Sequence, residues 1–200
     1  MIISIGREYG SGGHEIGEKL AERFNIPMYD KNILYELGKQ IGISPEQLEK
    51  YDEKPRNLLL SRNVKGYTNS PEDIVAEMQF KFFLEKAEAG ESFVIVGRCS
   101  DTILDDNDSM ISIFIRAEKE ERIKRLMKKY EIDREQAKRD MARIDRRRST
   151  YHNNHSKNKW GDAAAYDMCI NSSKVGVDKT VDIIATFVQM KMEQLESENK

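Results

Sequence analysis

Consecutive apolar positions and amphipathic stretches alternate along this chain of 200 residues. Residues 1–5, 93–96 and 110–115 form short apolar runs, which are typical of strands buried on both faces of a sheet. Residues 27–29 and 166–170 are two weaker candidates for strands. The pattern therefore predicts up to five strands, separated by stretches with helical spacing.

Apolar side chains recur every three or four positions between these strands, which predicts helices over residues 16–24, 33–41, 71–88, 119–130, 134–147 and 181–195. Ser-Pro pairs favour two further details, a helix start at Ser44 with a capping box closed by Gln47, and a start at Ser70. The inward positions of the helix over 71–88 are expected to be Ile74, Val75, Met78 and Phe82. Residues 55–70 have mixed polarity and no clear period, so we expect a variable, flexible insertion there.

Strands that alternate with helices predict an α/β fold, a parallel β-sheet flanked by helices on both faces, in a single domain over residues 1–200. The chain is 38% hydrophobic and 34% charged, in keeping with a globular protein. Its 33 basic residues nearly balance 35 acidic ones, and the net charge of −2 argues against a surface made for nucleic acid. No apolar run approaches the ~20 residues that span a bilayer, so we expect no membrane partner and a soluble, cytoplasmic protein.

Cysteine and histidine spacing gives little reason to expect a metal site. Cys99 and Cys169 are far apart and in no CxxC pair, which predicts two buried free thiols. His152 and His155 lie three positions apart with no cysteine or carboxylate between them, a poor pattern for zinc. We expect a mobile loop here, with Trp160 anchoring its base.

Four glycines stand between the first predicted strand and the first predicted helix, in the segment Gly6-Arg-Glu-Tyr-Gly-Ser-Gly-Gly. Glycine lets successive backbone N–H groups converge, and a helix N-terminus adds partial positive charge, so this turn predicts a phosphate-binding loop. The alternative is a tight turn that binds nothing, in which glycines occur only because the backbone needs positive φ angles. The candidate phosphate-binding residues are Gly10, Ser11, Gly12, Gly13 and His14.

This loop departs from the GxxxxGK[ST] pattern of a Walker A loop. Gly13 stands where lysine is required and His14 where serine or threonine is required. The spacing from Gly6 to Gly12 is also one residue too long. We expect Arg7, inside the loop, to supply the missing cation, and Ser11 to supply a hydroxyl.

Residues 122–148 hold twelve basic residues against five acidic ones, a local excess that the balanced total conceals. Most lysines of such a run form a solvated helix face. A cluster of four arginines differs because it crowds one end of a predicted helix, where we expect a loop to begin at Ser149. The fork-shaped guanidinium group suits a phosphate. The four are Arg143, Arg146, Arg147 and Arg148.

Five segments together resemble the cytidylate kinase-like family of bacterial P-loop proteins, over nearly the whole chain: REYGSGG, IPMYDKNIL, FVIVGRCSD, DRRRxxYHN and KWGDAAAYDMCINSS. The resemblance implies a P-loop NTPase or nucleoside monophosphate kinase-like fold, with a helical lid over residues 134–162. It implies ATP and Mg²⁺ as cofactors and a small phosphate-accepting substrate, with CMP as the best guess. It also assigns the lid residues Arg143, Arg146 and Arg147 to the phosphoryl group in flight, and Arg98, with Asp101 nearby, to the acceptor.

The acceptor side departs most from the related kinases. Cys99 stands where their GRD pattern has aspartate, and Asp101 lies two residues further on. Lys31 stands where they carry serine, and Glu36 replaces an arginine, which puts an acid near the expected phosphate. Either Lys31 takes over the contact to the acceptor, or the acceptor is not CMP.

Three functions stay open at this point. The first is an ATP-dependent phosphotransferase with Arg7 as a catalytic cation. The second is a non-catalytic nucleotide-binding protein that retains the fold with a degenerate loop, and the third is RNA binding through the lid arginines, which the acidic remainder of the surface disfavours. The sequence names no metal ligand and leaves open whether the chain forms a homo-oligomer.

Overall fold

The computed structural model describes residues 1–54, 63–64 and 67–198. Its strands are β1 (Ile2–Arg7), β2 (Met28–Tyr29), β3 (Asn63–Val64), β4 (Tyr67–Thr68), β5 (Phe93–Val96), β6 (Met110–Arg116) and β7 (Met168–Asn171). Its helices are α1 (Gly13–Phe24), α2 (Ile33–Ile41), α3 (Pro45–Glu49), α4 (Pro71–Glu88), α5 (Ser100–Ile103), α6 (Lys119–Tyr130), α7 (Arg134–His155) and α8 (Gly176–Glu198). A 3₁₀ turn covers Ala163–Ala165.

Five strands form one parallel sheet in the order β2-β5-β1-β6-β7, which confirms the predicted fold class. Ile3 of β1 is in register with Val94 on one side and Ile111 on the other. Because the strands are parallel, the carboxyl ends of β1, β5 and β6 meet at one edge of the sheet. Ligands of open α/β sheets bind at such an edge, where the chain turns to opposite sides. The short pair β3 and β4 is a separate antiparallel ribbon.

Two apolar layers cover the sheet. Alternate strand residues such as Ile3 and Ile5 pack with Ile16 of α1 and Ile184 of α8 on one face. Ile2 belongs to the opposite layer, whose buried members come from β5 and from helices α2 and α4. Each central strand is therefore buried on both sides, which explains why its sequence is continuously apolar rather than alternating.

Helix α4 corrects one expectation about its inward face. Ile74 is 43% exposed, while the adjacent Val75 is buried. The buried positions are Val75, Ala76, Gln79 and Phe83, and Met78 and Phe82 are partly buried. The stripe is shifted by one residue because Phe83 packs against Phe93 of the sheet.

The two predicted serine caps differ. The side chain of Ser70 accepts a hydrogen bond from the Asp73 backbone N–H at 3.4 Å, as a helix cap does. Ser44 makes no such side-chain bond, so the predicted capping box with Gln47 is wrong, and the carbonyl of Ser44 accepts from the Gln47 N–H instead. Most of the predicted insertion over 55–70 lies outside the described residues.

Helix α7 continues to His155, so the loop expected from Ser149 is wrong. Its buried stripe continues through Tyr151 and His152, and this packing outweighs the weak helix propensity of the intervening serine, threonine and asparagine residues. Cys169 corrects a second expectation because it is exposed, on the edge strand β7, whereas Cys99 is buried as expected. None of the helices in the described ranges is long and apolar enough to cross a membrane.

Candidate functional site

The glycine loop after β1 forms one wall of a cleft of about 700 Å³ at the carboxyl edge of the sheet. Gly12 caps α1 with a φ of 86°, and Gly10 has a φ of 82°, so the loop uses a conformation that favours glycine at both positions. Gly10, Gly12, Gly13 and His14 all line the cleft. Ser11 is buried beneath the loop, and its hydroxyl has no hydrogen-bond partner in the described part of the chain.

Arg7 occupies the space that a side chain at position 13 would need. A Cβ on Gly13 would lie 2.6 Å from the Cβ of Arg7 and 3.0 Å from its Cγ. The far end of the same side chain lies against Gly97, whose φ is 84° and whose added Cβ would overlap the Nη1 of Arg7. Two glycines from different loops therefore leave a channel for Arg7, which starts where the Walker lysine would start.

Acidic residues hold this arginine in place. The Nη1 of Arg7 lies 3.5 Å from the Oε1 of Glu53, and that carboxylate lies 3.7 Å from Arg98. Burial alone would raise the pKa of Glu53, but the charges of Arg7 and Arg98 outweigh it and hold that pKa well below its usual range. Arg98 also forms a buried ion pair with Asp52. The arginine that the sequence assigned to the acceptor is therefore engaged with two carboxylates.

Two arginines of α7 complete the cationic side of the cleft. Arg147 and Arg148 line it, and the Nε of each is buried with no hydrogen-bond partner among the described residues. Arg148 donates to the Arg7 carbonyl at 3.4 Å, and its guanidinium lies 5.6 Å from the ring centre of Tyr9. Burial and the neighbouring Arg7 lower the pKa of Arg148 to about 9, which leaves it charged at neutral pH. Such crowded cations favour an anionic ligand.

Helical periodicity separates the lid arginines into two groups. Arg148 shares the inward stripe of α7 with Tyr151 and His152, three and four positions on. Arg143 is 65% exposed and pairs with Asp140, and Arg146 is exposed as well. The structure brings Arg147 to the cleft and leaves Arg143 and Arg146 outside it. Their contact with a phosphoryl group stays a prediction.

Helix α6 supplies two arginines that the sequence analysis did not assign to the site. Arg125 donates from Nη1 to the Gly10 carbonyl at 3.1 Å, and a Cβ on Gly12 would lie 2.5 Å from that nitrogen. Arg122 is buried, donates to the Tyr9 carbonyl at 2.7 Å, and pairs with Glu8 and Asp145. Arg122 and Arg125 share one helix face, but Lys128 follows at the same spacing of three and also lines the cleft, so spacing alone does not single out the two arginines.

His14 takes part in a second charged pair at the mouth of the cleft. Its Nδ1 lies 3.1 Å from the Oδ2 of Asp30, which follows β2, and its Nε2 lies 3.3 Å from Glu18. The hydrogen bond to Asp30 raises the pKa of His14 above its usual value. The same bond lowers the pKa of Asp30 to about 2. The next residue, Lys31, is exposed and lines the cleft, as its predicted role requires.

Asp101 lies deeper, in a small pocket behind the cleft. Its Oδ2 is 2.7 Å from the Nε2 of His152, and both side chains are buried. Arg98 lines the same pocket. The two residues expected at the acceptor thus lie together, but inside the protein rather than on the wall that Lys31 and the loop share.

A Walker-type magnesium site does not form from these residues. His14 replaces the hydroxyl, and within the described ranges no three His, Cys, Asp or Glu side chains cluster as metal ligands. Each cleft carboxylate already has a basic partner within 4 Å: Glu8 with Arg122, Glu15 with Lys19, Asp30 with His14 and Glu53 with Arg7. A metal ion that arrives on nucleotide phosphates and keeps most of its water ligands needs no such site.

A glycine loop after the central strand of this parallel sheet, faced by arginines of α7, is the arrangement of a P-loop kinase fold. Solved structures share the fold. Shikimate kinase from Bacteroides thetaiotaomicron superposes with a TM-score of 0.55 at 10% identity, over 94% of this chain and 98% of that one.

More particularly, the chain belongs to the cytidylate kinase-like family, whose sequence model matches residues 2–174. Cytidylate kinase from Methanocaldococcus jannaschii is 23% identical over 191 residues, 94% of this chain and 97% of that protein. An uncharacterized protein from Eubacterium ventriosum is 39% identical, with a TM-score of 0.76 over 94% of this chain and 98% of that one. The resemblance noted in the sequence is confirmed.

Proposed function

We propose that this protein transfers the γ-phosphoryl group of ATP to a small acceptor, with a nucleoside monophosphate such as CMP as the first candidate. The observation that carries the proposal is the placement of Arg7 in the space of the missing Walker lysine. A loop of this kind requires a cation for the β- and γ-phosphates, and Arg7, whose side chain starts beside position 13, is the residue we assign to that role. The relative from Methanocaldococcus jannaschii is a cytidylate kinase, which supports CMP as acceptor.

The backbone of Gly10–Gly13 and the start of α1 would hold the nucleotide phosphates through their N–H groups. In the transfer, an acceptor oxygen forms a bond to the γ-phosphorus while the bond from that phosphorus to the β–γ bridging oxygen breaks. ADP leaves with the electron pair of the broken bond. Arg7, Arg147 and Arg148 offset the charge on the transferring group. Catalysis of phosphoryl transfer consists almost entirely of positioning the reactants and stabilising this charge.

Mg²⁺ would enter with ATP, since the paired carboxylates of the cleft leave no side chain free to bind it directly. Lys31, exposed at the mouth, is the residue we assign to the incoming acceptor phosphate. We assign Arg98 an indirect, positioning role. It forms ion pairs with Asp52 and Glu53, and Glu53 in turn pairs with Arg7. We retain Arg143 and Arg146 as lid residues that require closure to reach the nucleotide.

The test is ADP formation from ATP and Mg²⁺ with a panel of CMP, UMP, dCMP, AMP and GMP. We expect one nucleoside monophosphate to stimulate ADP formation, with an equal amount of its diphosphate appearing. Arg7→Ala should lower kcat about 100-fold or more, as loss of a charge-stabilising group does. Arg23→Ala is the matched control, because Arg23 pairs with Asp182 at the surface on α1, away from the cleft, and should leave the rate unchanged.

A non-catalytic nucleotide-binding protein is the second candidate. Its supporting observation is His14, which replaces the metal-binding hydroxyl and contacts Asp30 and Glu18. That protein would show a higher melting temperature with ATP, yet no member of the panel would stimulate ADP formation. This combined result would reject the transferase and support the second candidate.

A further inference from the structure

A small inner pocket of about 20 Å³ lies behind the cleft, between the ends of β1 and β5, α5 and α7. Its polar lining includes Arg98, Asp101, Tyr151, His152 and Tyr166. By volume it admits one group about the size of a water molecule. The transfer proposed above assigns no role to this pocket.

Three side chains that line the inner pocket carry buried polar atoms with few or no partners. The hydroxyl of Tyr151 and the Nε of Arg98 have no hydrogen-bond partner within the described ranges, and the hydroxyl of Tyr166 has only the backbone of Gly161 beside it. Tyr151, Tyr166 and Arg98 are 3%, 8% and 2% exposed, respectively. A buried donor or acceptor left unpaired costs roughly 1–3 kcal/mol, so these atoms around one cavity indicate that a guest atom belongs there.

The lining favours an uncharged guest. The guanidinium groups of Arg7, Arg98 and Arg148 face the carboxylates of Glu53 and Asp101, and Asp52 pairs with Arg98 from outside the pocket. The three arginines and three carboxylates therefore balance in charge, without counting His152. Burial raises the pKa of Tyr151 and Tyr166 far above neutrality, so both phenols keep their protons and can donate as well as accept.

The inner pocket adjoins the large cleft. Arg7, Glu53 and Arg148 line both the inner pocket and the large cleft. The ion pair between Arg7 and Glu53, at 3.5 Å, thus forms part of the wall that separates them. A molecule bound across this wall has one end among the arginines of the cleft and the other against the two phenols.

We propose that the inner pocket binds one hydroxyl group of the phosphoryl acceptor, with Tyr151 and Tyr166 as specificity-determining residues. The proposal rests on the transferase function above and narrows its substrate to acceptors that carry a hydroxyl at a fixed distance from the reacting group. In the free protein a water molecule takes the same place, and the substrate hydroxyl replaces it with equivalent hydrogen bonds. Phosphate itself is excluded by size and by the balanced charge of the lining.

The test is calorimetric binding of probe pairs that differ by one hydroxyl: CMP with its 2′-deoxy and 3′-deoxy forms, and ribose 5-phosphate with its 2-deoxy form. The wild-type protein should bind one deoxy form about tenfold more weakly, as loss of a hydrogen bond at a buried polar site predicts. Tyr151→Phe and Tyr166→Phe should reduce that difference to less than threefold. Tyr51→Phe, at an exposed position near α3, is the control and should keep the full difference.

Thermal melting of the same variants separates a binding role from a structural one. Because the Tyr151 hydroxyl has no hydrogen-bond partner among the described residues, Tyr151→Phe should melt at or above the wild-type temperature, while the rise in melting temperature caused by CMP shrinks. Equal affinities for all probes in the wild type, failure of every probe to bind, or unaltered discrimination in both phenylalanine variants would each overturn the proposal. The transferase itself is judged separately, by ADP formation, so the two can fail independently.

Discussion

Arg7 and Gly13 compete for one volume, since the Cβ that any side chain at position 13 needs would lie 2.6 Å from the Cβ of Arg7. We propose that Arg7, at the end of β1, replaces the cation of the Walker pattern, and that its side chain requires a glycine at position 13. The guanidinium end of Arg7 likewise requires a glycine at position 97, because a Cβ there would overlap its Nη1.

Gly97→Ala should disturb Arg7 directly. The substitution adds a Cβ that overlaps the guanidinium, and a φ of 84° adds roughly 1–2 kcal/mol of backbone strain. We expect a loss of free energy of unfolding and at least a tenfold weaker affinity for ATP. Gly90→Ala is the matched control, because Gly90 has a φ of 73° and nothing described within 4 Å of its added Cβ.

The control isolates the backbone cost. In urea denaturation, Gly90→Ala should lose free energy of unfolding through the backbone strain alone. Its affinity for ATP, measured separately, should equal that of the wild type. Equal ATP affinities in the Gly97 and Gly90 variants would mean that the contact between Gly97 and Arg7 does not matter for binding.

Arg148→Ala should weaken binding of ATP more than any loss of an exposed lid cation does. Arg148 lies beside Tyr9 and Arg7, lines the cleft, and has an Nε without a hydrogen-bond partner among the described residues, so an anion gains a charge-assisted hydrogen bond there. Such a bond is worth about 1.5–3 kcal/mol, which corresponds to roughly 10- to 100-fold in Kd. Lys138→Ala, on the exposed face of the same helix and paired with Glu135, is the control.

Titration calorimetry with ADP and with ATP gives both constants. If Lys138→Ala and Arg148→Ala reduce affinity alike, the inward stripe of α7 has no special part in binding. Affinity that falls further in high salt for both variants would point to general charge attraction instead.

Nucleotide affinity should depend on the protonation of His14. The imidazole stands at the loop, faced by Asp30, Glu18 and Lys129, and its pKa is raised, chiefly by the bond to Asp30. Protonation places a positive charge beside the incoming phosphates, so affinity for ADP should be high below the raised pKa and fall as pH increases through it. His14→Gln should flatten the profile.

Dividing the wild-type profile by the His14→Gln profile removes the titration of ADP itself. We expect the ratio to change about three- to tenfold between pH 6 and 9, within the range of a single charge-assisted hydrogen bond. A ratio that is constant across this range would show that His14 makes no electrostatic contribution to phosphate binding.

The sequence alone was sufficient for the sheet and its loop. The run Phe93–Val96 gave a strand with correct ends, because a strand buried on both faces leaves an unbroken apolar signature. Glycine clustering at Gly10–Gly13 located the loop between β1 and α1 for an equally local reason. Phosphate binding by this loop, and the replacement of the Walker lysine by Arg7, stay predictions.

The rest of the site depends on which side of a helix faces the cleft and on contacts between distant segments. Arg148 and Arg143 look equivalent in sequence, yet only the former lies on the inward stripe of α7. Glu53 reaches Arg7 across 46 positions, a pairing that no local pattern encodes. Arg125 received no role from the sequence, because its contact with the Gly10 carbonyl is likewise non-local.

The claim that Arg7 replaces the Walker lysine is tested most directly by moving the positive charge from position 7 to position 13. ATP affinity and CMP-dependent ADP formation should be measured for Arg7→Ala, Gly13→Lys and the double variant, with Arg23→Ala as control. Arg7→Ala should lose affinity, and Gly13→Lys should lose stability and affinity because both side chains then need one volume. The double variant should recover much of the binding of ATP, since lysine can occupy the vacated space. A double variant as weak as the sum of its two single changes would contradict the claim that Arg7 replaces the Walker lysine.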